Sequence, residues 1–208
     1  MAVSAGASVP TGAYAYFTGA TITYDDDLGA SPATYSASVT NDSPAASASA
    51  TLVWGASSYS FTGTTSGDTT STIFAYSNGI ATFTFATAMN VTMSWNLASV
   101  AGKSSDPDSL AGWTIENAAT RTTIYGIQFT NSASTPSSIA GGITASNTAS
   151  GVTGQVAAGT YRVATAVQVD VPANGSFSVT ISFTPVPTPG ALPLVAIASI
   201  VARRGRRR

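Results

Sequence analysis

The chain has 208 residues and a mass of 20.8 kDa, room for one domain with a sizeable core. Only 8% of its residues are charged, 44% are hydrophobic and the net charge is −1, which excludes disorder driven by charge. With no His and no Cys, the chain has no histidine-based catalytic triad, no disulfide, no thiolate or imidazole zinc site and no iron–sulfur cluster.

Apolar residues recur with period two between stretches of Gly, Asn, Ser and Pro, and no sustained 3.6-residue pattern competes with them. In chain order the pattern predicts strands over 13–24, 33–40, 48–54 and 59–63. A hairpin comes next, with 71–76 and 81–85 flanking Asn78-Gly79, a pair suited to a type I′ turn. That register sets Tyr76 opposite Ala81 and Phe74 opposite Phe83, all on one face with Phe85. Strands follow over 91–97, where Val91, Met93, Trp95 and Leu97 form one apolar face, and over 112–117 and 122–130. Residues 131–151 are rich in Ser, Thr, Ala and Gly and predict a loop with at most one weak strand. A closing hairpin joins 161–171 to 177–183 through a three-residue loop ending at Gly175, pairing Val171 with Phe177 and Val169 with Val179. Nine to twelve short strands at this spacing predict an all-β fold over residues 1–184, a single antiparallel β-sandwich, jelly-roll-like or immunoglobulin-like.

Charge is unevenly placed. Arg203, Arg204, Arg206, Arg207 and Arg208 crowd the last six positions, while the body up to Pro189 carries three basic side chains against nine carboxylates, a net −6. Such a body repels phosphate backbones, so no nucleic-acid partner is expected. Before the arginines runs the uncharged segment 190–202, with Gly190, Leu192, Leu194, Val195, Ile197, Ile200 and Val201. A helix of this length covers about 20 Å, short of the roughly 30 Å hydrocarbon core. It reads as a short membrane segment stopped by the arginine cluster, a transient element rather than a durable anchor.

Pro185-Val186-Pro187-Thr188-Pro189-Gly190-Ala191, then the apolar segment, then the arginines, resembles a PEP-CTERM sorting signal, with Pro187-Thr188-Pro189 in place of Pro-Glu-Pro. The resemblance covers residues 185–208 and implies a protein exported to the cell surface or beyond. It further implies transient membrane anchoring at the C-terminus and processing near Pro187, Thr188 and Pro189 by an exosortase-type enzyme. A non-enzymatic structural or adhesive role in the extracellular matrix, alongside exopolysaccharide, follows from the same likeness. Residues 1–10 hold neither a basic n-region nor an apolar h-region, so the export reading places a leader upstream.

Three sets of side chains are candidates for chemistry. Asp25-Asp26-Asp27, expected just after a strand, and Asp106-Pro107-Asp108, expected in a loop, supply hard oxygen ligands suited to Ca²⁺, although Asp is common in turns for its own reasons. No other cofactor is expected. Asp106, Asp108 and Glu116 are the one plausible set for a glycosidase-type carboxylate pair, and nothing in the sequence makes them converge. Trp113 and Tyr14 fall less clearly on an apolar face than Trp95, and are the candidates for stacking on sugar rings. They carry the alternative reading, a β-sandwich carbohydrate-binding module, calcium-assisted if the aspartates bind metal.

Overall fold

In the computed structural model, which describes residues 12–18, 22–42, 45–67, 74–100, 110–130, 136–143, 146–170 and 174–187, the period-two pattern becomes thirteen strands and, among the described residues, no helix. The first six are β1 (Gly12–Thr18), β2 (Ile22–Leu28), β3 (Thr34–Asp42), β4 (Ala45–Trp54), β5 (Ser58–Gly67) and β6 (Phe74–Phe85). Then come β7 (Met89–Val100), β8 (Leu110–Asn117), β9 (Thr123–Thr130), β10 (Pro136–Ala140), β11 (Thr148–Val156), β12 (Gly159–Asp170) and β13 (Asn174–Pro185). They form two antiparallel sheets in a sandwich, one ordered β10-β9-β8-β12-β6-β1-β2 and the other β11-β7-β13-β5-β4-β3. The pairing is nested: β5 lies beside β13, β6 beside β12, β7 beside β11 and β8 beside β9.

Each sheet turns one face inward. Val91, Met93, Trp95 and Leu97 are buried as their alternation requires, and Phe61, Val179 and Ile181 join them from the six-stranded sheet. Phe83, Ile115, Ile127 and Val163 meet them from the seven-stranded sheet. Phe183 on β13 bridges the layers, its ring centroid 4.9 Å from Phe83 and 4.8 Å from Phe85. Burying each such side chain contributes about 1.5–3 kcal/mol. Polar pins also cross the core. Tyr59 Oη donates to the Gly79 carbonyl at 2.8 Å and shares a hydrogen bond with Thr165 Oγ1 at 2.9 Å, while Ser77 Oγ donates to the Thr64 carbonyl at 2.9 Å.

Asn78-Gly79 is not a turn. Both residues lie inside the unbroken strand β6, which β1 and β12 pair from either side. Glycine is needed here for a close approach: a Cβ on Gly79 would lie 2.4 Å from Phe61 Cδ2, and one on Gly63 would lie 2.7 Å from the same ring. The predicted facing of Tyr76 with Ala81, Phe83 and Phe85 fails with the turn. Without it, positions 76 and 81 differ by an odd number and so lie on opposite faces of the strand.

The closing hairpin is also replaced. β12 belongs to the seven-stranded sheet and β13 to the six-stranded one, so the two runs face each other across the core rather than pairing edge to edge. The predicted strand over 13–24 is two strands, β1 and β2. The segment 131–151, predicted as a loop with at most one weak strand, holds β10 and the start of β11. Each is the last strand on its sheet and buries little, which is why neither shows clean apolar alternation.

Candidate functional site

The outer face of the seven-stranded sheet sinks where β6, β12, β8 and β9 run side by side. Backbone register lays Asn78, Ala166, Gly112 and Gln128 in one lateral row, with Tyr76, Gln168 and Leu110 in the next. In the middle of the sheet Ala166 and Gly112, with Ala164 in the row on their other side, carry a methyl group or no side chain. They form the floor of an open depression of about 180 Å³, walled by Tyr76 and Asn78 on one side and by Thr114 and Gln128 on the other. Gly112 has to be glycine, because a Cβ there would stand 2.3 Å from the Ile127 carbonyl oxygen across the β8–β9 pairing.

The walls are polar and interlocked. Asn78 Nδ2 donates to Tyr76 Oη at 2.8 Å, and the buried Asn78 Oδ1 has no partner among the described residues. At one end Arg162 Nη1 donates to Glu116 Oε2 at 3.2 Å. Thr114 Oγ1 donates to Glu116 Oε1 at 3.4 Å, and Arg121 Nε approaches Glu116 Oε2 at 3.7 Å. The Arg162 and Glu116 side chains are 16% and 17% exposed, so this pair is more sheltered than a surface ion pair and holds the end of the depression in one shape. Arg121 and Arg162 are the only cations among the described residues, and both serve this one carboxylate.

Of the candidates read from the sequence, Glu116 stands at the end of this depression, bound to Arg162. Trp113 is 1% exposed, its ring centroid 5.6 Å from that of Trp95 across the sandwich, so it is a core side chain with no ring face open to a sugar. Its alternation with Ala111 and Ile115 on β8 carries it inward. Tyr14 lies on β1 in register with Asn78, and its side chain is outside what the structure describes. Asp106 and Asp108 lie outside the described residues, as do Thr188, Pro189 and the whole of 190–208 with its apolar segment and arginines. Pro187 is exposed just past the end of β13. No helix among the described residues is long and apolar enough to cross a membrane.

Asp25, Asp26 and Asp27 lie within β2 rather than after a strand. Pleating puts Asp26 on the opposite face from the other two, so the three carboxylates do not close on one ion, and no cluster of three acidic, His or Cys side chains is arranged for a metal among the described residues. Asp25 Oδ2 accepts the Ser38 backbone N–H at 2.8 Å and Asp27 Oδ2 accepts that of Ser36 at 2.9 Å. β2 and β3 are the outer strands of their respective sheets, and the carboxylates of one occupy outward N–H groups of the other. This blunts an edge that would otherwise template strand addition. The Asp25→Ala/Asp27→Ala double variant is therefore expected to self-associate with rising concentration. Sedimentation velocity checks this; a mass distribution equal to the parent's would show that the edge is closed by other means.

Tyr76, Asn78, Gln128 and Arg162 are the site residues the sequence reading passed over. The available signal was parity: carried straight through Asn78-Gly79, the alternation places Tyr76 and Asn78 opposite Phe83 and Phe85, on the outer face.

No protein-family model and no curated protein matches this chain. Among solved structures it is similar to TmCBM61 in complex with β-1,4-galactotriose, with a TM-score of 0.24, 8% sequence identity, and coverage of 73% of this chain and 82% of that one. So low a TM-score gives the likeness no weight in assigning a ligand.

Proposed function

We propose that this protein is a non-enzymatic β-sandwich of the cell surface or extracellular matrix, exported and sorted through a PEP-CTERM-like C-terminal signal, with a structural or adhesive role beside exopolysaccharide. The observation that carries this reading is the order of the C-terminal sequence: Pro187-Thr188-Pro189, uncharged segment, arginine cluster, beginning two residues after the last strand ends at Pro185. Prolines at that point keep the chain extended and out of the sheet, within reach of a processing enzyme. We read the nested pairing of β5 to β13 as a jelly roll, a strip folded on itself and wrapped into two sheets. Intact-mass measurement of the mature protein from its native host tests the sorting claim. A C-terminus between Pro187 and Gly190 is expected, and a mass that retains Arg203 to Arg208 would overturn it.

A second reading, the carbohydrate-binding module, is favoured by the polar-walled depression on the seven-stranded sheet. It is compatible with the first, since an adhesive surface protein needs a place to hold its polymer.

A further inference from the structure

We propose that the depression over β6, β12, β8 and β9 is a binding groove for a neutral glycan chain, with Tyr76 as its stacking wall and the Asn78 and Gln128 amides as its hydroxyl readers. The inference rests on the surface-polysaccharide reading above and supplies what that reading lacks, a site and a ligand class.

Lining chemistry narrows the ligand. Sugars present hydroxyls that both donate and accept, and a wall of amides, a phenol and the Thr114 hydroxyl offers both functions. Asn78 Oδ1 is a buried acceptor with no partner among the described residues, the kind of group that an incoming hydroxyl would satisfy after a small side-chain adjustment. The Ala164, Ala166 and Gly112 floor leaves room for a flat ring to lie against the strands, and an aromatic wall suits the apolar face of such a ring. Charge then selects among glycans. Arg162 Nη1 is held by Glu116 at 3.2 Å, and the body as a whole is acidic, so the long-range field disfavours a polyanion.

The shape narrows it further. The depression is open, so it takes the interior of a chain rather than enclosing a terminal unit. Register also sets Tyr16 beside Tyr76 and Tyr24 beside Tyr16, a lateral line of three tyrosine positions across β6, β1 and β2. Affinity is therefore expected to rise with oligosaccharide length.

Isothermal titration calorimetry of residues 1–208 against cello-, xylo- and manno-oligosaccharides of two and six units, with polygalacturonate as the anionic probe, tests the proposal. At least one neutral hexamer is expected to bind, tenfold or more tighter than its dimer, with polygalacturonate weaker. Tyr76→Ala should weaken hexamer binding at least tenfold while the melting temperature stays within a few degrees of the parent's, and Tyr76→Phe, which keeps the ring, should restore most of the affinity. Gln128→Ala should weaken binding without destabilising the fold. No binding of any neutral hexamer, preference for polygalacturonate, or full affinity in Tyr76→Ala would overturn the groove. A correctly processed C-terminus with no glycan binding would overturn the groove and leave the surface reading standing, whereas binding by a protein that keeps its arginines would do the reverse.

Discussion

Trp113→Ala is expected to destabilise the protein by about 3–5 kcal/mol, the usual range for emptying a large aromatic site in a packed core. For a domain of this size that corresponds to a fall in melting temperature of roughly 6–20 °C. The ring is 1% exposed and lies against Trp95, where neighbours from both sheets hold it and have little freedom to collapse into the space left behind. Trp113 Nε1 is buried without a hydrogen-bond partner among the described residues, so the indole contributes through packing rather than through its N–H. Trp113→Phe should therefore retain much of the stability that Trp113→Ala loses. Thermal unfolding of the two variants beside the parent checks both statements. A loss below 1 kcal/mol in Trp113→Ala, the size expected for a surface substitution, would return the residue to the role of an exposed platform.

Tyr59→Phe is expected to cost about 1–3 kcal/mol, because it strands buried polar groups in the opposite sheet. The Gly79 carbonyl loses its 2.8 Å donor, and Thr165 Oγ1 loses its 2.9 Å partner. This tyrosine also gives stability an alkaline limit. Burial pushes the Tyr59 phenol well above its ordinary value, with the Thr165 hydrogen bond opposing that rise only in part. The folded state therefore holds its proton above pH 10, where the unfolded chain releases it. Stability linked to this group is complete below about pH 10 and falls as pH rises further, by up to about 1.4 kcal/mol per pH unit. Urea unfolding at pH 8, 10 and 11 should show the parent losing more stability across the upper interval than Tyr59→Phe. Equal slopes would place the alkaline sensitivity elsewhere.

The two substitutions probe features that differ in how readily the sequence reveals them. Alternation on β7 was plain, and Val91, Met93, Trp95 and Leu97 are buried as it required. Trp113 alternates in the same way on β8, but Gly112 and Thr114 on either side left its face undecided until β7 closed over it from the other sheet. Tyr59 reads as one more inward aromatic of a short strand, and its hydroxyl acquires a role only when β6 and β12 bring Gly79 and Thr165 to it from 20 and 106 residues away. The depression on the seven-stranded sheet was hidden by a local rule. Asn-Gly between two apolar runs is a strong hairpin signal, and here close contact with the Phe61 ring uses the same glycine inside a strand.

The residue pattern specified the all-β class, most strand positions and the absence of histidine and cysteine chemistry, because period-two burial and composition are properties of the chain read locally. Strand partners were settled by long-range packing. An apolar face on β12 and another on β13 are buried equally well by pairing edge to edge or by facing across a core, and local alternation does not distinguish the two. β6 and β8 claim both edges of β12, while β5 and β7 claim both edges of β13, so the strands meet face to face. The same assembly sets Tyr76, Asn78, Gln128 and Arg162 around a floor of alanine and glycine, and turns Asp25 and Asp27, two of three consecutive aspartates, into the clasp between two sheet edges.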